Sequence, residues 1–322
     1  MHRLCATLLA CSAGLLSGQI TGPVTGFLYH SPTKSIRAIS GVPGSAVLAS
    51  PLIENVEFGS VSPDGKWALV RGADFTAIVK PGTVVSGEQR PAGLIPEIDA
   101  AAWSGSRLAV VVASSSAKVY QRVRLSGTRW VADAPRSFAS LPGSLTSISA
   151  DTTGAQVALG LTAGAQGSIY LAVNGAAPAF VMSGPVAAVA AFAPRGGTFY
   201  AAVSAPGVIE VFEGAARVGS LAFAAEDGSA PEAAALAVSA DGKRLYATAK
   251  EKRALWSIDL ATSQAAVTPL DEVPNALLPV GPRSWLLLNS PAKNSEPAVL
   301  ASDSEQPVTT FVPALEGERS SL

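Results

Sequence analysis

The chain has 322 residues, of which 48% are hydrophobic and 15% charged, and its formal net charge is −1. This composition excludes an intrinsically disordered chain, which combines low hydrophobicity with high net charge. It also provides no basic surface for a nucleic acid, so none is expected among the partners.

The first 18 residues have the pattern of a secretory signal peptide. Arg3 supplies a positive charge, the run from Leu4 to Leu16 is apolar or small, and Ser17 and Gly18 suit a cleavage site before Gln19. We therefore expect residues 1–18 to be removed and the mature protein to be periplasmic or extracellular. A buried first strand or a membrane anchor is disfavoured by the composition and the shortness of the run. A lipoprotein acylated at Cys11 remains a less favoured alternative.

A sequence motif that predicts two short apolar strands joined by a tight turn recurs along the rest of the chain. The residue that opens the second strand is Trp67, Leu108, Val157, Phe199, Leu245 and Trp285, so successive copies are 41, 49, 42, 46 and 40 residues apart. The position 40 residues before Trp67 holds Phe27, which adds a seventh unit that lacks a convincing inner strand. A repeat of this length built of short strands predicts a β-propeller.

We therefore predict an all-β fold, a β-propeller of four-stranded blades, with seven blades favoured and six possible. Residues 19–315 form this single domain, and residues 316–322 form a frayed C-terminal tail. We expect a monomer.

The turn between the two strands explains the form of the repeat. In the clearest copy, Pro63 presets φ, Asp64 can bond the backbone two residues on, and Gly65 accepts a positive φ. Asp241 and Gly242 repeat this pattern in a later copy. These aspartates are accordingly expected to stabilise turns.

Two copies carry a resemblance to known propellers. In AVSADGKRLYATAK at 237–250, Leu245, Tyr246 and Thr248 match the YVTN pattern, whereas Ala247 and Ala249 replace its Val and Asn, and VSPDGKWALV at 61–70 resembles the TolB repeat. The chain thus resembles bacterial periplasmic propellers of the TolB and YVTN-lactonase-like type. The resemblance implies a propeller fold, and the TolB-like part implies binding of a protein, peptide or cell-envelope component.

Few residues for catalysis remain outside the leader. Both cysteines, Cys5 and Cys11, lie within it, and His30 is the one histidine beyond it. Thiol nucleophiles and multi-histidine zinc sites are therefore excluded from the mature chain. His30 ends an apolar segment, where a solvated imidazole is expected.

Acidic residues recur before the inner strands. Glu54, Glu232 and Glu272 each precede the second-strand residue of their unit by 13 positions. These residues lie in the connections that lead into the innermost strands. Such connections lie near the mouth of a propeller channel, so the acidic side chains can converge there. The predicted binding rim comprises Glu54, Glu97, Asp99, Glu232, Glu272 and Asn275.

Two functions remain open for this rim. We favour an exported, non-catalytic propeller that binds a protein, peptide or envelope component, with no catalytic residue, metal or cofactor. The alternative is a lactonase-like hydrolase in which the carboxylates hold a divalent cation or perform acid–base chemistry. Acidic loop residues are also ordinary on a solvated rim.

Overall fold

A computed structural model describes residues 23–313, apart from residue 43 and residues 84–89, 282–284, 290, 292 and 294–295. Within these residues the chain forms seven antiparallel sheets around a central axis. The prediction of an all-β, seven-bladed propeller is confirmed. The predicted signal peptide and the tail lie outside the described residues. None of the helical structure in the described part is long and apolar enough to cross a bilayer.

The strands of each blade are consecutive in the chain, and the first strand of each blade is innermost. Blade 1 contains β1 (Val24–His30), β2 (Ser35–Ser40) and β3 (Val47–Ile53). Blade 2 contains β4 (Phe58–Val61), β5 (Ala68–Arg71) and β6 (Thr76–Val79). Blade 3 contains β7 (Ala100–Trp103), β8 (Ala109–Ser114), β9 (Val119–Ser126), β10 (Arg129–Ala132) and β11 (Arg136–Ser137). Blades 4 and 5 contain β12 (Ser144–Ala150), β13 (Gln156–Ala163), β14 (Gln166–Val173) and β15 (Ala179–Gly184); and β16 (Val189–Phe192), β17 (Thr198–Ala202), β18 (Val208–Glu213) and β19 (Ala216–Ala222). Blades 6 and 7 contain β20 (Ala233–Val238), β21 (Arg244–Ala249), β22 (Ala254–Asp259) and β23 (Ala265–Pro269); and β24 (Leu278–Val280), β25 (Trp285–Asn289), β26 (Ala298–Ser302) and β27 (Thr309–Val312).

The turns between first and second strands have the expected chemistry. Ser62 Oγ donates a hydrogen bond to Asp64 Oδ1 (2.7 Å), and Ser239 Oγ does the same to Asp241 Oδ1 (2.7 Å). The glycines that follow have positive φ, 71° at Gly65 and 77° at Gly242. The aspartates thus stabilise the turns, as predicted.

The hydrophobic core is divided among the interfaces between blades. Seven clusters of buried side chains fill the seven interfaces, including the one between blades 1 and 7. Between blades 5 and 6, for example, Phe223 meets Trp256 edge to face with ring centroids 5.4 Å apart. Because each strand alternates its side chains between two sheet faces, each blade contributes to two clusters. The ring is therefore held by apolar contact all the way round.

The innermost strand of blade 1 runs in the opposite direction to the innermost strands of the blades beside it. Gly26, near the start of β1, contacts Val280 and Gly281 at the end of β24, whereas Tyr29, near the end of β1, contacts Gly59 at the start of β4. The strand β1 therefore runs opposite to its neighbours. Blade 1 has three strands among the described residues, and because the first of them is reversed, the third ends on the side of the ring where blade 2 begins. Phe27, predicted in a second strand, thus lies in an innermost strand that runs in the second-strand direction.

The first and last blades meet without exchanging a strand in the described part of the chain. Leu48 N–H donates to Pro313 O (2.9 Å), and Gly44 N–H donates to Thr310 Oγ1 (3.0 Å). Leu28, Leu48 and Leu300 pack in the cluster between these blades. Side-chain packing and a few polar contacts therefore close the ring.

The two turn glycines have different surroundings, which predicts different costs of substitution. A Cβ at Gly65 would lie 3.0 Å from the Phe27 ring, whereas at Gly242 the nearest atom is 3.8 Å away, in Pro194. Gly242→Val should destabilise by about 1–2 kcal/mol because a side chain is forced into left-handed geometry. Gly65→Val should cost more, because the valine also meets the aromatic ring.

Denaturant midpoints test this order. Gly219→Val is the control, since Gly219 lies in an outer strand without positive φ and with open space around it. Equal midpoints for the wild type and both turn variants would contradict the assignment of left-handed turns.

Candidate functional site: the central cavity

All seven innermost strands contribute to a central cavity of about 320 Å³. Most of its lining residues are aliphatic, and its aromatic lining residues are Phe27, Tyr29, Trp103, Phe192 and Trp285. The volume is near the lower end of the range for ligand pockets, roughly 300–1,000 Å³. The cavity is therefore large enough for a small ligand or a few side chains of a partner.

The cavity extends to one particular side of the ring. The turns that join the first and second strands of blades 3, 4 and 5 contact one another on this side, since Gly105 N–H donates to Asp151 O (3.3 Å) and Thr152 Oγ1 donates to Pro194 O (3.2 Å). We call it the turn face, and we call the opposite side, where the connections between blades lie, the linker face. Pro63, Arg107, Pro194 and Ala240 of the turns line the cavity. The cavity thus reaches the turn face, and we call the end that these turns surround its mouth.

The cavity wall consists of strand edges. Each innermost strand pairs on one side only, so the backbone groups of its free edge face the axis. Hydroxyl groups of one blade satisfy some backbone groups of the next, since Ser149 Oγ accepts from Phe192 N–H (2.9 Å) and Thr146 Oγ1 donates to Ala188 O (2.7 Å). An apolar ligand with a few polar groups suits such a wall.

Asp303, the acidic residue of the lining, is already engaged. Its Oδ1 accepts a hydrogen bond from the buried Tyr246 hydroxyl (2.7 Å), and its Oδ2 accepts from Ala240 N–H (3.2 Å). Burial, and then the neighbouring Asp303 carboxylate, raise the pKa of Tyr246 well above its ordinary value. The hydroxyl stays protonated as a donor, and the pair connects blade 6 to blade 7.

Arg107 is the basic residue of the lining, and its backbone is left-handed, as at six other non-glycine residues of the described chain. Its φ is +63°, and its N–H donates to Ser104 O (2.9 Å). The corresponding position is glycine in the turns of blades 2, 4 and 6, where the N–H of Gly65, Gly154 and Gly242 makes the same type of bond. Within the described residues, the Arg107 guanidinium makes no hydrogen bond or ion pair. A positive charge that has no partner among the described residues therefore stands at the cavity mouth.

The predicted rim acids lie elsewhere, in the connections on the linker face. Most bond to the loop between the second and third strands of their own blade. Asp99 accepts from Ser115 N–H (3.0 Å), Glu97 accepts from Ser116 Oγ (2.7 Å), and Glu232 accepts from Lys250 Nζ (3.3 Å). Each of these carboxylates therefore ties two loops of one blade together.

The remaining rim residues follow the same distribution. Glu272 accepts from Asn289 Nδ2 (3.0 Å) in blade 7, Asn275 lies in the same connection, and Glu54 is exposed after β3. None of the six lines the central cavity. Among the residues that the structure describes, no group of three or more His, Cys, Asp or Glu side chains is placed to hold a metal ion. A role of the rim in recognition stays a prediction.

His30 is buried, which corrects the expectation of a solvated imidazole. Its Nδ1 lies 2.7 Å from Thr33 Oγ1, and Thr33 Oγ1 also accepts from the buried Arg37 Nε (3.2 Å). The reversal of β1 explains the error, because the segment after His30 folds back as a second strand instead of leaving the sheet. The histidine belongs to a polar network inside blade 1.

Comparison with known proteins identifies the fold. No protein-family model matches the chain, and no curated protein matches it in sequence. The β-propeller domain of Cps50 (Swd1) from Myceliophteria thermophila superposes with a TM-score of 0.55 at 12% identity, over 81% of this chain and 87% of that one. A chain of a mitotic checkpoint complex superposes with a TM-score of 0.54 at 13% identity, over 98% of this chain and 100% of that one. At such identity the likeness shows the propeller fold alone.

The residues at the cavity mouth were not predicted from the sequence. A signal for Arg107 was present, since SGSR at 104–107 has arginine where SPDG at 62–65 has glycine. Trp103 and Trp285 carried no such signal, because a large residue beside a turn is equally expected in the core.

The contact between blades 6 and 7 yields a stability prediction. Asp303→Ala removes the charged acceptor of a buried hydroxyl and should lower the free energy of unfolding by about 1–3 kcal/mol. In a Tyr246→Phe background the same change should cost less, because the hydroxyl is already gone. Glu305→Ala, an exposed change in the same loop, is the control and should stay within about 0.5 kcal/mol. Equal costs of Asp303→Ala in both backgrounds, measured by chemical denaturation, would refute the coupling.

Proposed function

We propose that the protein is a non-catalytic binding propeller whose turn-face cavity takes a short apolar segment of a partner protein or peptide. The observation that carries this proposal is the cavity of about 320 Å³, which opens among the turns and whose lining is mainly apolar. Concave, largely apolar sites with a few convergent polar groups are the usual form of binding sites.

The depth of the cavity favours insertion of side chains over contact with a flat surface. Leu278 lines it and is 56% exposed, so an apolar side chain faces open space inside the ring. Burying such a surface against an apolar partner group is favourable at about 25 cal/mol per Å². The rim carboxylates on the linker face are proposed as a separate recognition surface, since their loops are exposed and pre-ordered by their own hydrogen bonds.

Export is the second part of the proposal. The leader over residues 1–18 and the resemblance of the turn motifs to TolB and YVTN-type periplasmic propellers support a periplasmic or extracellular location. In that setting the partner is a protein, peptide or component of the cell envelope.

The cavity is tested with a phage-displayed library of random dodecapeptides selected on the protein. Leu278→Arg places a charge inside the apolar cavity and should weaken the selected peptides at least tenfold. Val218→Arg is the matched control, because Val218 is similarly exposed (55%) but lies on the outer strand β19. Peptides that bind both variants equally well, or a library without any enriched peptide, would contradict the proposed site.

The leader is tested by mass spectrometry of the protein from the fraction outside the cytoplasm. The expected N-terminus lies near Gln19, with Cys5 and Cys11 lost and without a lipid adduct. A diacylated Cys11 at the N-terminus would contradict export in soluble form and would show that the protein is anchored to a membrane.

A further inference from the structure

We infer that the turn-face cavity selects partner segments in which a carboxylate adjoins an apolar side chain, and that Arg107 binds this carboxylate. The inference rests on the proposed function, and it specifies the chemistry of the partner segment. Its grounds are the charge balance at the cavity mouth and the backbone conformation of Arg107.

The first ground is the charge that the mouth leaves uncompensated. Arg107 and Asp303 are the charged residues of the described lining, on blades 3 and 7. The Asp303 carboxylate accepts from Tyr246 and Ala240, whereas the Arg107 guanidinium makes no bond within the described residues. Asp64 and Asp151, the aspartates of the turns in the neighbouring blades 2 and 4, are also engaged, because Ser62 Oγ donates to Asp64 Oδ1 (2.7 Å) and Ala155 N–H donates to Asp151 Oδ1 (2.9 Å). An anion from outside is thus the complement that the described part of the mouth lacks.

The second ground is that arginine occupies a position that suits glycine. At a φ of +63° a side chain crowds the backbone, and glycine avoids this cost. The other turns of this type use glycine there, at Gly65, Gly154 and Gly242. Strained residues cluster at functional sites, where the surrounding structure maintains them. Glycine at position 107 would relieve the strain, but it would also remove the guanidinium from the mouth.

The third ground is the chemistry of the guanidinium beside an apolar wall. Arginine presents a planar fork of donors that matches a carboxylate in two parallel hydrogen bonds. The cavity below the fork holds an apolar side chain, and its walls reduce the screening of the charge by water. Asp303, on the far side of the ring, repels a second anion and orients the segment with its acidic end toward blade 3.

The experiment compares peptide selections on three forms of the full chain. Random dodecapeptides are selected on the wild type, on Arg107→Gly and on Arg195→Gly. Arg195 is the matched control, because it is an exposed arginine in the corresponding turn of blade 5 and does not line the cavity. Asp or Glu beside an apolar residue should be enriched on the wild type and on Arg195→Gly, and this enrichment should disappear on Arg107→Gly.

Changing the acidic residue of the best peptide to its amide gives the decisive measurement. The change should weaken binding at least tenfold for the wild type and less than twofold for Arg107→Gly. The melting temperature of Arg107→Gly should equal or exceed that of the wild type, because glycine relaxes the left-handed turn. A lower melting temperature would assign Arg107 a structural role and overturn the inference.

The other outcomes separate this inference from the function on which it rests. Peptides that need an open cavity, as judged by Leu278→Arg, but show no acidic preference overturn the role of Arg107 and leave the binding function intact. Absence of any enriched peptide overturns both. If 8-anilinonaphthalene-1-sulfonate binds in a 1:1 ratio and requires Arg107 while peptides do not bind, the occupant is an anionic small molecule and the peptide assignment is wrong.

Discussion

The structure depends on the close approach of seven sheets at one axis. Strands of neighbouring blades come so near that a side chain has no room at several points. Gly26 and Gly59 both lie in innermost strands, where a Cβ would lie 2.5 Å from Val280 and 2.8 Å from Tyr29, respectively, in the blade beside it. Glycine is unfavourable in strands for reasons of entropy, but here it is the residue that fits. The hydroxyls of Thr146 and Ser149 then join one blade to the next, and the interfaces farther from the axis are filled by apolar clusters.

The same convergence determines what the axis offers a ligand. Large side chains lie mainly between blades, so the centre is left to strand edges and to the residues that protrude past them. Charged side chains line the cavity at its mouth, where the wall is formed by turns instead of strands and side chains are free to point inward. The turn face therefore combines an apolar interior with a sparse charged border, whereas the acids of the linker face are occupied in holding loops together.

Repeat architecture could be predicted from sequence because the signal is local and recurs. A serine, an aspartate and a glycine within four residues form the turn, and an apolar residue such as Trp67 or Leu245 marks the strand that follows. The reversed strand of blade 1 could not be predicted in the same way, since Phe27 keeps the spacing of a second strand while lying innermost. Its position follows from strand number and ring closure, which are properties of the whole ring.

The residues of the proposed site were harder to predict for a related physical reason. Glu232 and Glu272 were found by their common spacing, but spacing cannot show that a carboxylate bonds to a neighbouring side chain of its own blade instead of facing a ligand. Arg107 departs from a repeated pattern, and such a departure has meaning only when the backbone conformation is known. Conformity to the repeat thus predicted the fold, and departure from it marks the proposed site.

The four-stranded blades have a further property that concerns how such rings change over evolutionary time. An even number of antiparallel strands begins and ends on the same side, so the segment that encodes blade 4, 5, 6 or 7 is a self-contained module. Duplication or loss of one such segment by recombination leaves the direction of every other strand unchanged. Blade 1, whose first strand is reversed and contacts both blade 2 and blade 7, lacks this freedom, because its removal would leave the neighbouring modules facing a different closure. Gain or loss of a blade is accordingly expected among blades 4–7, which have an even number of strands, whereas blade 1, where the ring closes, is expected to be retained.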